Sequence, residues 1–239
     1  GLRLVPGFMI NSFSRKLPPF KVARLRRVRS KLQKSVEGAL VICPLLPQQM
    51  SELGDELVLD RIISAAQIAM KLPARIVGLD CFAALIADKD YDTIARNLKI
   101  PVTSGHSLTA WSIFEGVYRI AKAKKIDLKK SSLTIIGAGS IALSLAARKL
   151  SDYVAQLTLV VKEKDKLAKL KELINANMNI EVILEDNVHA AVQGADIVIK
   201  AGCLKEPAFD FEFKDLKPGT VFCHVPSFYN VLNRSGLRE

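Results

Sequence analysis

Two glycines in the second half of the chain have the spacing that a bound dinucleotide requires. An apolar run at residues 133–136 leads into Gly137, Ala138, Gly139, Ser140, Ile141 and Ala142. Gly137 allows a tight turn, Gly139 has no Cβ to keep a pyrophosphate from the backbone, and Ala142 is small enough for close helix–strand packing. A helix predicted over residues 143–150 directs its N-terminal amides towards the phosphates. The motif predicts a cofactor site at residues 137–141, the alternative being a glycine turn with no ligand.

The choice of cofactor depends on the residues that follow the next strand, predicted at 157–161. In this fold an acid at that point bonds the ribose 2′-hydroxyl, whereas a nearby base accommodates a 2′-phosphate. The residues present are Lys162, Glu163, Lys164, Asp165 and Lys166. Lys162 and Lys166 favour NADP, and Glu163 leaves NAD open.

Three further cofactor contacts are predicted at the end of the fourth strand, at Ala201, Gly202 and Cys203. Ligands of parallel sheets bind outside the carboxyl ends of the strands, and Gly202 allows close approach of the cofactor there. Cys203 either faces the nicotinamide or is a packed thiol. His224, at the end of the fifth strand, is either a proton donor or a hydrogen-bonded structural histidine.

The first candidate for proton transfer is His106, in the turn before a long helix predicted at 109–125. Histidine changes its charge near neutral pH and is the commonest general acid or base. A helix-capping or structural role is the alternative. Cys81 and Asp80, after a strand predicted at 75–79, are second candidates for the catalytic site.

Composition and cysteine spacing narrow the class of protein. The 239 residues are 49% hydrophobic and 25% charged, and no apolar run approaches the ~18 residues that span a bilayer. No apolar stretch suited to a signal peptide opens the chain, so a soluble, cytoplasmic protein is expected. The four cysteines form no CxxC pair and the three histidines lie far apart, which predicts no metal site and reduced, packed thiols.

The formal net charge of +11 comes mostly from one segment. Residues 15–34 contain nine Lys or Arg residues and no acid. Three interpretations are open: a solvated or subunit-interface helix, a site for nucleic acid or another polyanion, and a role in binding cofactor phosphate. Aromatic residues are not interleaved with the basic ones, so a solvated or subunit-interface helix is favoured over nucleic-acid binding. An interface helix would make the protein a homo-oligomer.

The elements that must position these residues follow from the apolar pattern. Strands at 39–43 and 75–79 flank a helix at 57–72 that is capped by Asp55, and this βαβ order implies a parallel pairing. Residues 80–90 are predicted to begin as a loop, and the next elements are a short helix at 91–97 and a strand at 100–103. In the second half, strands are predicted at 133–136, 157–161, 180–184, 196–200 and 220–224, with helices between them.

The predicted fold is α/β: an N-terminal βαβ substrate domain followed by a doubly wound NAD(P)-binding Rossmann domain. The catalytic and substrate domain is expected over residues 1–108 and the Rossmann domain over residues 109–239. The active site is expected in the cleft between them. The chain stops shortly after its fifth strand, and further C-terminal residues are expected in the complete protein.

Four features carry a family resemblance: the stretch at residues 102–110, the long helix, the polar connector at 127–132 and the glycine motif. The stretch reads Val102, Thr103, Ser104, Gly105, His106, Ser107, Leu108, Thr109 and Ala110. Together these features resemble the long-chain acyl-carrier-protein reductases that make fatty aldehydes and, more distantly, shikimate dehydrogenase and glutamyl-tRNA reductase. Gly105, Thr109 and Ala110 match the reductases, and His106 replaces an asparagine. Residues 78–82 take the place of a glycine–phenylalanine loop near that family's active site, and position 162 is basic in both.

The resemblance implies hydride transfer between NADP(H) and a carbonyl, hydroxy-acid or acyl-thioester substrate, either a small molecule or an acyl carrier. Those reductases form a thioester on a cysteine beyond the Rossmann unit, to which none of the four cysteines corresponds. The lysine–aspartate pair of shikimate dehydrogenase is not found in a matching motif either. Of the properties of these families, cofactor binding is therefore the one that the resemblance implies for this chain. The rival hypotheses are a nucleotide-sensing Rossmann protein without turnover, and a nucleic-acid binder that uses residues 15–34.

Overall fold

The computed structural model describes residues 14–29, 35–87, 90–161, 172, 181–202 and 211–226. The chain divides into two compact units between Gly105 and His106. The strands are β1 (Phe20–Arg29), β2 (Ser35–Ile42), β3 (Val77–Gly78), β4 (Val102–Thr103), β5 (Ser132–Ile136), β6 (Gln156–Val160), β7 (Glu181–Glu185), β8 (Ile197–Gly202) and β9 (Val221–Pro226). The α-helices are α1 (Pro47–Glu52), α2 (Asp55–Met70), α3 (Cys81–Ala87), α4 (Tyr91–Asn97), α5 (His106–Lys124), α6 (Ile141–Ser151) and α7 (Val188–Val192).

The second unit is built on a five-stranded sheet in which every pairing is parallel. Its strand order is β7-β6-β5-β8-β9. The first strand in sequence, β5, therefore lies in the middle, and the chain winds outwards from it in both directions. This is the order of a three-stranded mononucleotide-binding Rossmann half extended by two strands. All five predicted strands are confirmed, with ends that shift by at most two residues.

Successive residues of these strands point to opposite faces of the sheet, and each face has its own core. Ile135, Leu159 and Ile199 pack with apolar residues of α5 and α6. Ile136 and Val198 belong to a separate cluster with residues of α7. Because the strands are apolar on both faces and helices cover both, the predicted doubly wound α/β fold is confirmed.

In the first unit the parallel pair consists of strands other than those predicted. β3 pairs with β4, joining Val77 to Val102, and the helices α3 and α4 lie between them in sequence. A βαβ unit is therefore present, but the predicted pairing of residues 39–43 with residues 75–79 is wrong. Residues 81–87, predicted as part of a loop, form α3. The helices at 55–70 and 91–97 agree with the prediction, and Gly54 rather than Asp55 is the N-cap of α2.

Most of the described basic segment, residues 20–29, is a strand and not a helix, although residues 15 and 16 are helical. β1 covers residues 20–29 and pairs antiparallel with β2, so the predicted buried strand at 39–43 belongs to an exposed two-stranded hairpin. The pairing is interrupted by two β-bulges, one between Lys21 and Ala23 and one between Leu25 and Val28. Arg27, in the second bulge, has a φ of 60°. Bulges break the strict alternation by which a strand is recognised in sequence, and this explains the wrong prediction.

Candidate functional site

The glycine turn lies where the strand order reverses. β5 ends at Ile136, whose neighbours in register are Val160 of β6 on one side and Lys200 of β8 on the other. The chain proceeds from β5 to β6 and later returns to β8 on the opposite side. Ligands of open parallel sheets bind in the crevice outside the carboxyl ends of the strands at such a point. The turn after Ile136 is therefore placed where a dinucleotide binds in this fold.

Two amides of the turn are engaged within the sheet. Gly137, with a φ of +83°, adopts a left-handed conformation that L side chains rarely take. Its N–H donates to the carbonyl oxygen of Val160 at 2.9 Å, and the N–H of Ala138 donates to the same oxygen at 3.2 Å. Ala138 is fully buried. Gly137 and Ala138 thus shape the turn and attach it to β6, and their amides are not available to a phosphate in this arrangement.

Other amides at the start of α6 remain available. Ser140 is the N-cap: its Oγ accepts a hydrogen bond from the N–H of Leu143 at 3.3 Å, and its carbonyl accepts from the N–H of Ser144 at 2.9 Å. Within the described part of the chain, the N–H groups of Gly139, Ile141 and Ala142 have no acceptor. The first amides of a helix point along its axis away from the helix body. Three donors at the positive end of α6 thus form an anion-binding arrangement.

Lysine and histidine side chains lie together near the carboxyl ends of β8 and β9. Lys200 and His224 are partners in register. Lys200 is only 7% exposed, and its Nζ lies 5.3 Å from the ring centroid of Phe211. The imidazole of His224 stacks on Phe222 with ring centroids 6.3 Å apart. Burial, and secondly the nearby positive charge of Lys200, lower the pKa of His224 below its ordinary value of 6.5.

Lys200 is a residue that the sequence reasoning missed. It stands alone as a charged residue in the strand Ile197–Gly202, which is otherwise apolar. Such a position is a signal in itself, because a buried lysine is costly unless its surroundings stabilise the charge. The structure adds that this charge lies beside the one histidine named for the fifth strand.

Replacing Lys200 by methionine is expected to raise the pKa of His224. The substitution removes the positive charge that disfavours the imidazolium and leaves the apolar stem in place. Proton NMR titration of the imidazole would measure the pKa of His224. Lys122→Met on helix α5 is the matched control: it removes one positive charge elsewhere and should leave this pKa unchanged. An unaltered pKa in Lys200→Met would contradict the electrostatic role of this lysine.

The same pKa sets a direction for stability. Because the folded pKa is lowered, the unfolded chain takes up the proton first as the pH falls through the ordinary histidine value. The stability that comes from keeping the ring neutral is complete above pH 6.5, and is lost as the pH falls from there towards the folded pKa. This loss should be smaller in Lys200→Met.

The structure gives Asp80 a local structural role. Its carboxylate accepts a hydrogen bond from the N–H of Ala83 at 3.1 Å, and its carbonyl accepts from the N–H of Ala84 at 2.7 Å. Asp80 therefore caps α3, a helix whose first residue is Cys81. His106 is the first residue of α5, partly buried and preceded by Gly105, which has a φ of +74°. Asp80 belongs to the first unit and His106 to the second.

Part of the predicted cofactor site lies outside the described residues, namely Lys162, Lys166 and Cys203. Ala201 and Gly202 are the last residues of β8, in register with Val225 and Pro226 of β9. They are thus at the same carboxyl edge of the sheet as the glycine turn.

The described residues contain no group of three or more His, Cys, Asp or Glu side chains able to hold a metal ion. No helix among them has both the length and the apolar character needed to cross a membrane. Cys43 and Cys223 are free, half-buried thiols, and burial raises the pKa of both. A raised pKa lowers the thiolate fraction, so these two cysteines are packed thiols rather than nucleophiles.

Comparison with known proteins shows partial similarity to proteins of several activities. No family model matches the chain. Over 122 residues, 50% of the chain, it is 28% identical to the aminotransferase PigE of Serratia sp. (strain ATCC 39006), and the match spans only 14% of that protein's length.

Solved structures with similar chains include both dehydrogenases and a transferase. An L-tryptophan dehydrogenase from Nostoc punctiforme matches 75% of this chain and 50% of its own, with 16% identity and a TM-score of 0.46. An ornithine transcarbamoylase from Giardia lamblia matches 78% and 84%, with 11% identity and a TM-score of 0.47. A quinate dehydrogenase from Corynebacterium glutamicum, in complex with NAD, matches 47% and 42%, with 21% identity and a TM-score of 0.38.

Proposed function

We propose that this chain binds NADP(H) through the turn after β5 and belongs to an oxidoreductase. The observation that carries the proposal is the set of three amides, at Gly139, Ile141 and Ala142, without an acceptor at the start of α6. They lie at the carboxyl end of the central strand of a doubly wound sheet, where the strand order reverses. A pyrophosphate supplies acceptor oxygens and negative charge, which match these donors and the helix dipole.

The proposed cofactor fits the donors at the turn and the residue types that follow β6 in the sequence. The amides at Gly139, Ile141 and Ala142 would hold the pyrophosphate, and Lys162 and Lys166 would supply positive charge for a 2′-phosphate. NAD remains the alternative because Glu163 is adjacent. When bound, a nicotinamide cofactor supplies a hydride donor or acceptor, and the protein supplies orientation and electrostatics.

The substrate is proposed to be a carbonyl, hydroxy-acid or acyl-thioester compound, by the resemblance to acyl-carrier-protein reductases and shikimate dehydrogenase. His106 is the first candidate to move a proton, since an imidazole can both donate and accept one near neutral pH. Cys81 and Asp80 stay second candidates, and the capping role of Asp80 accounts for its position without catalysis. The neutral form of His224 would be a proton acceptor at the carboxyl edge of the sheet.

Isothermal titration calorimetry with NADPH and NADH tests the proposal on the whole chain. We expect saturable binding of NADPH, and a Lys162→Ala variant should lose affinity for NADPH while keeping its affinity for NADH. Turnover is followed as the loss of NADPH absorbance with acyl thioesters, aldehydes and shikimate-like acids. Failure of both nucleotides to bind would refute the cofactor site, and binding without turnover on any substrate would favour a nucleotide-sensing protein.

A further inference from the structure

On one face of the β1–β2 hairpin, every residue that has a partner in register is apolar. Side chains of residues that pair across antiparallel strands share a face. The alternate pairs on this face are Phe20–Ile42, Ala23–Leu40, Leu25–Gly38 and Val28–Val36. We call these eight residues the apolar hairpin face. The two bulges place the extra residues of β1 between these pairs, and so they keep every apolar residue of the set on the same side.

The apolar hairpin face is exposed. Its six large side chains have exposed fractions between 38% for Ile42 and 59% for Val36. With roughly 150–250 Å² for a large side chain, they form a patch on the order of 500 Å². A patch of that size compares with the largest apolar patch of a typical monomer, which is often a functional surface. A two-stranded hairpin is also only marginally stable by itself, so a cover on this face would stabilise it.

The reverse face of the hairpin has a different character. It includes Lys21, Arg24 and Arg29, together with Glu37, which pairs with Arg24 at 2.6 Å. The half-buried residues of β2, Ala39 and Val41, are also on this reverse face. The charges thus point away from the apolar hairpin face. A polyanion would be attracted to the reverse face, whereas the partner of the apolar face must be an uncharged, flat, apolar surface.

We propose that the apolar hairpin face binds the same face of a second copy of this chain, so that two hairpins form a small β-sandwich about a two-fold axis. The chain itself presents a surface of the required shape and chemistry, and a face that packs on itself is the usual isologous contact of homodimers. Two such patches bury on the order of 1,000 Å² together, the lower bound for a specific interface.

The charge distribution permits this contact. Packed sheets lie about 10 Å apart, so Lys21, Arg24 and Arg29 of both copies are on the outer surfaces of the sandwich. Their separation then exceeds the Debye length of about 8 Å at physiological ionic strength. Repulsion between the two positive hairpins is therefore largely screened.

Analytical ultracentrifugation of the whole chain tests the proposal through two adjacent residues. Val36 lies on the apolar hairpin face and Ser35 on the reverse face, and both are exposed. Val36→Asp buries a carboxylate in the interface and should raise the dimer dissociation constant about tenfold or more. Ser35→Asp introduces the same charge on the reverse face. It should change the dimer dissociation constant by less than about twofold. Leu25→Asp, on the opposite strand, should act like Val36→Asp.

Circular dichroism identifies any variant that fails to fold. If either Val36→Asp or Leu25→Asp fails to fold, the other variant still tests the proposal. A wild-type chain that stays monomeric at about 100 µM, above the micromolar range expected of a contact this small, would overturn the proposal. A dimer unaffected by both face variants would overturn it as well. So would Val36-dependent binding of the monomer to vesicles of phosphatidylcholine and phosphatidylglycerol. The measurement needs no nucleotide, and its outcome is independent of the proposed oxidoreductase function.

Discussion

A Gly139→Val chain is expected to bind NADPH at least about 100-fold more weakly than the wild type while keeping its fold. Two methyl groups would stand beside the amides that are proposed to contact the pyrophosphate. The backbone of Gly139 lies outside the left-handed region, in contrast to that of Gly137, and the residue is exposed. Valine therefore meets no left-handed backbone strain at this position, and the loss should come from blocked approach of the phosphates.

The chain offers a matched control for this experiment. Gly116 is exposed on helix α5, and a Cβ at that position would meet no atom within 4 Å. Gly116→Val should bind NADPH with the wild-type affinity in the same calorimetric titration. Wild-type affinity in a folded Gly139→Val chain would show that the phosphates do not approach this turn, and the proposed cofactor site would have to be abandoned.

The second large effect concerns the strand that leads into the turn. Ile135 is fully buried in the core shared by α5, α6 and the sheet. Ile135→Ala removes buried methyl and methylene groups and leaves a cavity, which should lower the free energy of unfolding by about 2–5 kcal/mol. That is a large part of the 5–15 kcal/mol typical of a whole domain. Leu145→Ala, at a position 40% exposed on helix α6, should cost well under half as much.

Tryptophan fluorescence during urea unfolding measures this loss in the second unit. The chain has one tryptophan, Trp111 on helix α5, and its ring contacts Phe114 with centroids 5.3 Å apart. Phe114 belongs to the same core as Ile135, so the fluorescence reports on that core. Equal losses in Ile135→Ala and Leu145→Ala would contradict the central position of β5. At temperatures where the Ile135→Ala chain remains folded, it should still bind NADPH, unlike Gly139→Val.

The second unit follows closely from local sequence. Its strands are short apolar runs with helical patterns between them, and in parallel sheets covered on both faces such runs are the expected signal. The helix after the glycine turn was predicted at 143–150 and spans Ile141–Ser151. Local pattern and long-range packing agree here because each strand is buried whichever neighbour it pairs with.

The strand pairings of the first unit are predicted less well from the sequence, because they depend on long-range contacts that no local pattern indicates. The run at 39–43 is apolar, as a buried strand is, yet it pairs with the basic segment in an exposed hairpin. Strands β3 and β4 have only two residues each. They are recognisable as partners only once α3 and α4 bring them together.

Some features of the candidate site can likewise be predicted from the sequence, whereas others depend on the tertiary structure. The positions of Gly137 and Gly139 are apparent from spacing alone, but hydrogen bonding to Val160 determines which amides remain for a ligand. Lys200 acquires its significance from the parallel register that places it beside His224.

By itself, the sequence determined that the second half is a doubly wound α/β unit with a glycine turn after its first strand, because apolar periodicity and glycine geometry are local properties. Tertiary structure alone decided which strands pair in the first half, which amides of the turn remain free donors, and which face of the basic hairpin is apolar. Each of those outcomes depends on hydrogen bonds or register between residues far apart in the chain, and such pairings are selected by the free energy of the whole fold.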